Sequence, residues 1–406
     1  MSAPLRILYL HYLTAGAAGL HHVEALARGL RRAGADVEVA PLHPLYAGAD
    51  HGGADRNSAA ANGDGHAPQA QRVVPHLRGL LREPRELLRN AAYARREARR
   101  IETFHPDVLL VRNHRMTASF LRSARRAGCP LVLEMNAPAL EPLLYGDTHS
   151  PLPLLAERLE RRKLRAADRV ITVSRALASH LETTHGLDTG SCVIVPNGAD
   201  PVADAAPPPA ACAAATTHRA RKPRVGFIGS FQRFHRIDRL AELFCELARR
   251  RPDVELVAIG DGPEREAFQA QTRELGRRLR VPGRIPHEDM PAEIAALDVG
   301  VLPGTAFYTS PLKVFEFLAA GTPIVVPDTE PLRDLAAAGA PLALFAEQDP
   351  GTLTARVEEL LDQPQQRAEI ANRGRDHLAA CLTWDHAARR VHQTCMDAVS
   401  SARRAA

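Results

Sequence analysis

The chain has 406 residues, 45% of them hydrophobic and 24% charged, with a formal net charge of +5 and a pI near 9.0. That length exceeds one ordinary core and points to two domains, and the composition is globular and not that of a disordered chain. The modest positive excess suits an anionic ligand or an anionic membrane surface; with no interleaved basic and aromatic stretch, it makes no case for nucleic acid.

The six cysteines (Cys129, Cys192, Cys212, Cys245, Cys381 and Cys395) show no CxxC pair and no Cys/His ligand spacing. Thiols in a reducing compartment are expected, with neither disulfides nor zinc. The apolar run Ile7–Leu13 follows a single arginine and leads into a glycine-containing turn, so it reads as a first buried strand and not as a signal peptide. No apolar run approaches the roughly 20 residues that span a bilayer. The expectation is a cytoplasmic protein, at most peripheral on the inner face of the membrane.

Strand and helix patterns alternate from the start. Ile7–Leu10 is a compact apolar strand; Val23, Leu26, Ala27 and Leu30 then recur at helical spacing, Gly34 stops the helix, and Val37 and Val39 open a second strand. Such a unit favours a parallel sheet with right-handed crossovers. The stretch 47–71 lacks periodicity and reads as an insertion, followed by an Arg-rich helix over roughly 77–101. Further strands are expected at Val108–Val111, Leu131–Leu133, Val170–Val173 and Val193–Val195. From 201 to 223 an Ala/Pro-rich linker interrupts the pattern. A second series follows, with strands at Val225–Ile228, Leu256–Ile259, Val299–Leu302, Ile324–Val326 and Leu342–Phe345. The reading is α/β: a doubly wound, Rossmann-like domain over 1–200, a second over 224–385, and a helical tail over 386–406 that packs back on the first domain. Sheets of this kind bind ligands at the carboxyl ends of their strands, here in a central cleft.

The strongest chemical signal is Ser310-Pro-Leu-Lys-Val-Phe-Glu-Phe-Leu-Ala-Ala-Gly-Thr-Pro323, running into the strand Ile324–Val326. Ser310, Pro311 and Leu312 open a helix whose first N–H groups and dipole suit phosphate. Lys313 adds a cation where the dipole alone disfavours one, which hints at an anion. Glu316 follows one turn later, placed to accept hydrogen bonds from ribose hydroxyls. The plainer account is an ordinary helix start with solvated Lys and Glu.

Four segments together resemble glycosyltransferase family 4, retaining enzymes of the GT-B fold, and the resemblance covers nearly the whole chain. Asp168–Ser174 and Val195–Asp200 look like the signature that ends that family's first domain. Val225–Phe231 looks like the strand and glycine turn that open its donor domain, Ile259–Pro263 like its next turn, and Ser310–Gly321 like its phosphate-and-ribose helix. The resemblance implies a donor site at Gly229, Ser230, Gly260, Ile285, Ser310, Pro311, Leu312 and Glu316, with base contacts made largely by backbone around Gly283–Pro286. Two departures stand out. The first glutamate of the family's paired motif is Tyr308 here. The family's Arg and Lys after the glycine turn fall on Ser230 and His235, with Arg233 nearby. Arg233, His235 and Lys313 are therefore expected to bring cations to the diphosphate. The Ser-Phe-x-x-Phe-His variant looks like a subgroup associated with polysaccharide assembly.

In the first domain, the turn ending at Gly19 could approach the diphosphate, or could simply be tight geometry. His114, after the strand Val108–Val111, is a candidate for touching the donor sugar, although the ungapped match falls on Arg112. Arg112, Glu134 and Asn136 are the acceptor-side candidates; Glu134 and Asn136 lie in a segment that resembles the subgroup's acceptor side, or could cap a loop. The resemblance implies transfer with retention, without a metal, from a UDP- or GDP-sugar more than an ADP-sugar, and without another cofactor. The acceptor stays open among a lipid-linked sugar, a growing glycan and a small molecule. A nucleotide-sugar 2-epimerase, a transferase to a small heteroatom nucleophile and a non-catalytic nucleotide-sugar-binding protein are the alternatives. The arginines Arg78, Arg82, Arg85 and Arg89, at helical spacing, form either a solvated face or a peripheral membrane contact.

Overall fold

A computed structural model describes residues 3–14, 19–43, 81–145, 151–202 and 221–405. The insertion at 47–71, Gly16, Arg78 and most of the 201–223 linker lie outside the described residues. The chain forms two compact units, one within Met1–Thr172, Leu181–Val193 and Ala388–Ala406, the other within Val173–His180 and Ile194–Ala387.

The first sheet contains β1 (Arg6–His11), β2 (Asp36–Pro41), β3 (Val108–Arg112), β4 (Leu131–Met135), β5 (Arg169–Thr172) and β6 (Cys192–Ile194), in the order β2-β1-β3-β4-β5-β6. The second contains β7 (Arg224–Ile228), β8 (Glu255–Ile259), β9 (Leu279–Gly283), β10 (Val299–Val301), β11 (Ile324–Pro327) and β12 (Ala343–Phe345), in the order β12-β11-β10-β7-β8-β9. The strands pair in parallel, as the βαβ rhythm requires. Helices covering both faces explain why the strands read as unbroken apolar runs. Ile7, Leu8, Tyr9 and Leu10 are fully buried, and so are Val225 and Phe227.

Both sheets fix their amino ends by one device. An aspartate just before a strand accepts a hydrogen bond from a backbone N–H at the start of its neighbour. Asp107 takes Arg6 at 2.9 Å, Asp168 takes Leu131 at 2.7 Å and Asp298 takes Arg224 at 2.8 Å. Asp168, at the head of a motif singled out above, is thus a structural clamp.

Sequence reading missed one strand, β9. Its pattern, Leu-Arg-Val-Pro-Gly, alternates partly buried and exposed residues and carries Pro282. A proline lacks the N–H that an inner strand needs, but β9 pairs only with β8 and lies at the sheet edge. At the far end of the chain, Trp384, Ala388, Val391, Cys395 and Ala398 form a buried stripe at helical spacing along the helix Trp384–Ala405. Residues 388–406 group with the first unit, where Arg169 donates to Ser401 Oγ at 3.1 Å. Among the described residues no helix is long and apolar enough to cross a membrane, and five cysteines are free thiols.

Candidate functional site

In the second unit, the carboxyl ends of β7 and β8 meet as two backbone turns in direct contact. Gly229 donates its N–H to Ile259 and Phe231 donates to Asp261, at 2.9 and 3.0 Å. Gly260 has φ +131°, and a Cβ there would run into the carbonyl oxygen of Gly229. A side chain at Gly262 would meet the Phe231 backbone at 2.7 Å. These glycines are needed for backbone packing. Gly260→Ala is expected to destabilise this unit by about 2–4 kcal/mol, through combined backbone strain and overpacking. Urea denaturation checks it, and a change below about 0.5 kcal/mol would contradict the packing account.

The helix Leu312–Ala320 begins at Pro311, and no side chain caps it. The N–H groups of Leu312 and Lys313 therefore have no partner within the helix. The loop before it is held by residues from both motifs that end the first series. Ser174 Oγ donates to the Tyr308 carbonyl at 2.6 Å. Asn197 donates its backbone N–H to Ser310 Oγ at 3.0 Å and its side-chain amide to the Ser310 carbonyl at 2.6 Å. Those partners make Ser310 first a structural anchor for the helix start. Gly198 is equally constrained, since a Cβ there would meet the Leu382 carbonyl at 2.7 Å.

Lys313 crosses over the Gly229 turn, and a Cβ at Gly229 would meet the Lys313 Cε at 2.6 Å. Its ammonium lies 5.6 Å from the centroid of the Phe227 ring and donates to His235 Nε2 at 2.9 Å. An ammonium can only donate, so Nε2 is the bare nitrogen. The proton sits on Nδ1, which donates to the Gly304 carbonyl at 3.2 Å. Burial and the neighbouring Lys313 push His235 well below its ordinary pKa. The expected charge on His235 is therefore absent: the residue is a buried, neutral acceptor. Burial also lowers Lys313, to about 8, with Glu316 opposing. Glu316 is itself half-buried, and burial raises its carboxyl while His287 and Lys313 pull it back.

The other donor-side candidates are spread more widely. Arg233 is 68% exposed and 3.5 Å from Glu264. Ser230 is exposed, whereas Ile285 packs against the core and lines an open groove of about 660 Å³ with Arg224, Arg280 and Glu293. Tyr308 is buried and stacked edge-on with Phe307, at 5.1 Å between centroids. It occupies a packing position, not that of a solvent-facing acid.

In the first unit, Glu134 is a hub at the ends of β1, β3 and β4. Its Oε2 accepts from the Tyr9 hydroxyl, and its Oε1 accepts from Arg112 at 2.7 Å and Asn136 at 2.8 Å, with His22 Nε2 at 2.6 Å. Burial pushes Glu134 up, but His22 and Arg112 outweigh it and hold the carboxyl below the usual carboxylate range. Glu134 was expected to face an acceptor; both of its oxygens are instead committed inside the protein, and Asn136 is bound to one of them. A Cβ at Gly19 would lie 3.2 Å from Arg112 Nη2, so this glycine makes room for that guanidinium.

His114 lies in the loop after β3, with Nδ1 3.0 Å from Thr117 Oγ1, and burial lowers its pKa to about 4. The loop is held by Lys163, which sequence reading missed. Its buried ammonium donates to Asn113 Oδ1 at 2.6 Å and to the carbonyls of His114 and Arg115 at 3.0 and 3.2 Å. One signal was available: only three of the 52 basic residues are lysines, namely Lys163, Lys222 and Lys313.

Residues 21–202 match the family model described as Glycosyltransferase Family 4, and residues 222–363 match that described as Glycosyl transferases group 1. A 2-deoxystreptamine glucosyltransferase of Streptomyces kanamyceticus is 28% identical over 246 residues, covering 58% of this chain and 62% of the relative. The chain thus spans less than two thirds of that relative's length. Among solved structures, sucrose-phosphate synthase of Thermosynechococcus elongatus superposes with a TM-score of 0.71 at 17% identity, covering 98% of this chain and 100% of the other. HepE of Anabaena, solved in complex with UDP-glucose, gives 0.64 at 17% identity with the same coverage.

Proposed function

The chain belongs to glycosyltransferase family 4 and has the GT-B fold, and on that premise we propose that it transfers a sugar from a nucleoside diphosphate sugar to an acceptor. One observation carries the reading: Lys313, a half-buried ammonium on the first turn of an uncapped helix, with no ion pair among the described residues. A lone cation there is doubly unfavourable, through desolvation and through the helix dipole, and a diphosphate relieves both costs. HepE, with its bound UDP-glucose, supports a uridine donor.

In this reading the helix N–H groups and Lys313 take up the charge that builds on the departing diphosphate, and Glu316 holds the ribose. The transfer proceeds with retention and without a metal. The leaving phosphate itself takes the acceptor proton on the face where it departs. The test is nucleotide release from UDP-, GDP- and ADP-glucose in EDTA, with the anomer of the product read by NMR. Release from one donor in EDTA supports the proposal. Release only after a divalent ion is added would overturn metal independence, and an inverted product would overturn retention. Tight donor binding without release over a wide acceptor panel would favour a silent nucleotide-sugar binder, and an isomerised donor would favour a 2-epimerase.

The acceptor side suits a membrane-borne substrate. On the helix Arg82–Phe104 and the residue before it, Arg82 and Arg85 are exposed beside Leu81 and Leu88, the latter 79% exposed. On the helix Pro153–Ala166, Leu154 is 68% exposed and leads a face of Arg158, Arg161, Arg162 and Arg165. Only Arg161 of these four has an ion pair among the described residues, a long one to Glu157 at 3.8 Å. Like charges at i,i+4 repel, so both faces suit an anionic bilayer that also accepts leucine. Co-sedimentation with anionic vesicles is expected, reduced several-fold by Arg158→Ala/Arg162→Ala and by salt. Binding indifferent to both anionic lipid and salt would sink the membrane contact.

A further inference from the structure

We propose that His235 is the positioning residue of the diphosphate site: a fixed, uncharged acceptor that aims the Lys313 ammonium across the Gly229 turn. The proposal rests on the donor-site reading above and assigns a role within it that the sequence gives to neither residue.

The ring of His235 is held from several sides. Its Nδ1 is bound to the Gly304 carbonyl, and its ring makes edge contacts with Phe234 at 4.3 Å and Phe227 at 6.1 Å between centroids. The short turn Arg233–His235 that carries it ends at Arg236, which takes a left-handed φ of +50°, a conformation rare outside glycine. Gly304 lies so close that a Cβ there would meet Arg236 Cγ at 2.5 Å. The acceptor nitrogen is thus placed by backbone geometry, while Lys313 hangs on a flexible four-carbon stem. Among the described residues the 2.9 Å contact from Nζ to Nε2 is that ammonium's one hydrogen bond, made beside the Phe227 ring 5.6 Å away.

A carboxylate at 235 would also orient Lys313, but it would neutralise the cation and repel a diphosphate. A neutral imidazole orients without neutralising. One of the three ammonium N–H groups goes to His235, which leaves two for an anion beside the helix start. Arginine, the chain's default cation, spreads its charge over a planar fork and would not offer the compact ammonium that Nε2 holds. That accounts for a lysine at 313 in a chain with only three.

Two consequences separate positioning from space-filling. Because Nζ and Nε2 are in hydrogen-bond contact, a lysine moved to 235 would bring its ammonium to nearly the same place. Because burial lowers Lys313 to about 8, affinity for an anion falls as pH rises through that value. The groups facing Lys313 are Glu316, on its own helix, and His235 across the turn; His287 in turn acts on Glu316.

The experiment is calorimetric titration of UDP and GDP near pH 7 and near pH 9. The proteins are wild type, Lys313→Ala, His235→Ala, His235→Gln and the exchange His235→Lys/Lys313→Ala, with melting curves to confirm folding. For the nucleotide that wild type binds, Lys313→Ala is expected to weaken affinity about tenfold or more at the lower pH and to abolish the loss toward the higher one. His235→Ala should weaken binding about tenfold with Lys313 intact, and His235→Gln, whose amide oxygen can accept, should recover most of it. The exchange should bind about tenfold better than Lys313→Ala alone. Wild-type affinity and pH dependence in a folded His235→Ala, or an exchange no better than Lys313→Ala, would overturn the proposal and leave the donor site standing. Wild type binding neither nucleotide would remove the donor site and this role together.

Discussion

Lys313→Ala is expected to lower kcat/KM for donor consumption by about a hundred- to a thousandfold, the usual cost of removing one preorganised donor from a developing oxyanion. The loss should appear in kcat as well as in KM, because charge on the diphosphate grows as the glycosidic bond breaks. Lys313→Arg should restore little of it. A guanidinium conserves charge, but it is a broad planar fork where the site holds a compact ammonium over Gly229 in contact with His235 Nε2. The pH profile gives a second handle. The protonated form of Lys313 is the active one, so wild-type kcat/KM should decline as pH rises through about 8, the lowered value set by burial. In kcat the decline should come later, since a bound diphosphate holds the proton on. A folded Lys313→Ala variant with kcat/KM within threefold of wild type would show that the helix start acts alone.

Where side chains report their own surroundings, the sequence was legible. Apolar runs marked eleven of the twelve strands among the described residues, because both faces of these sheets are covered. The twelfth, β9, hid behind Pro282 and an exposed edge. The helix at Leu312 was legible too, since Ser-Pro, Lys313 and Glu316 carry their meaning within one turn. What escaped depends on which partner a residue finds. Asp168, Ser174, Asn197 and Gly198 were recognised as a pattern, yet their work is to tie backbone: Asp168 to β4, Ser174 and Asn197 to the loop before the donor helix. His235 was expected to be a cation because it falls on the position of the family's lysine. Only the depth of the ring and the ammonium beside it make it neutral, and neither can be read from spacing. Lys163 left no local trace, because a buried lysine satisfied by an asparagine and two carbonyls has no motif. Glu134 and Arg112 were singled out for facing an acceptor, and they turned out to face each other.

That last pairing carries the second large effect. Glu134→Gln is expected to destabilise the first unit by about 3–5 kcal/mol, although the change is nearly isosteric. The carboxylate accepts from Tyr9, Arg112 and Asn136, and His22 closes on the same oxygen as Arg112. An amide can present only one oxygen, so its NH2 must face Tyr9 or the Arg112 and Asn136 donors. Arg112 is 13% exposed and would be left without its counter-charge. If that orphaned charge is the main cost, Glu134→Met with Arg112→Met should be less damaging than either single change, and the double-mutant cycle should show coupling of at least about 1 kcal/mol. The pH dependence follows from the same charges. Glu134 is held below its unfolded value by His22 and Arg112 against the push of burial, so its contribution is complete above about pH 4.3 and is lost as pH falls toward the folded value. Urea denaturation at falling pH should therefore show wild type losing stability on the acid side faster than Glu134→Gln. Parallel curves would mean that the hub holds the ends of β1, β3 and β4 by shape and hydrogen bonding, with no net part for its charge.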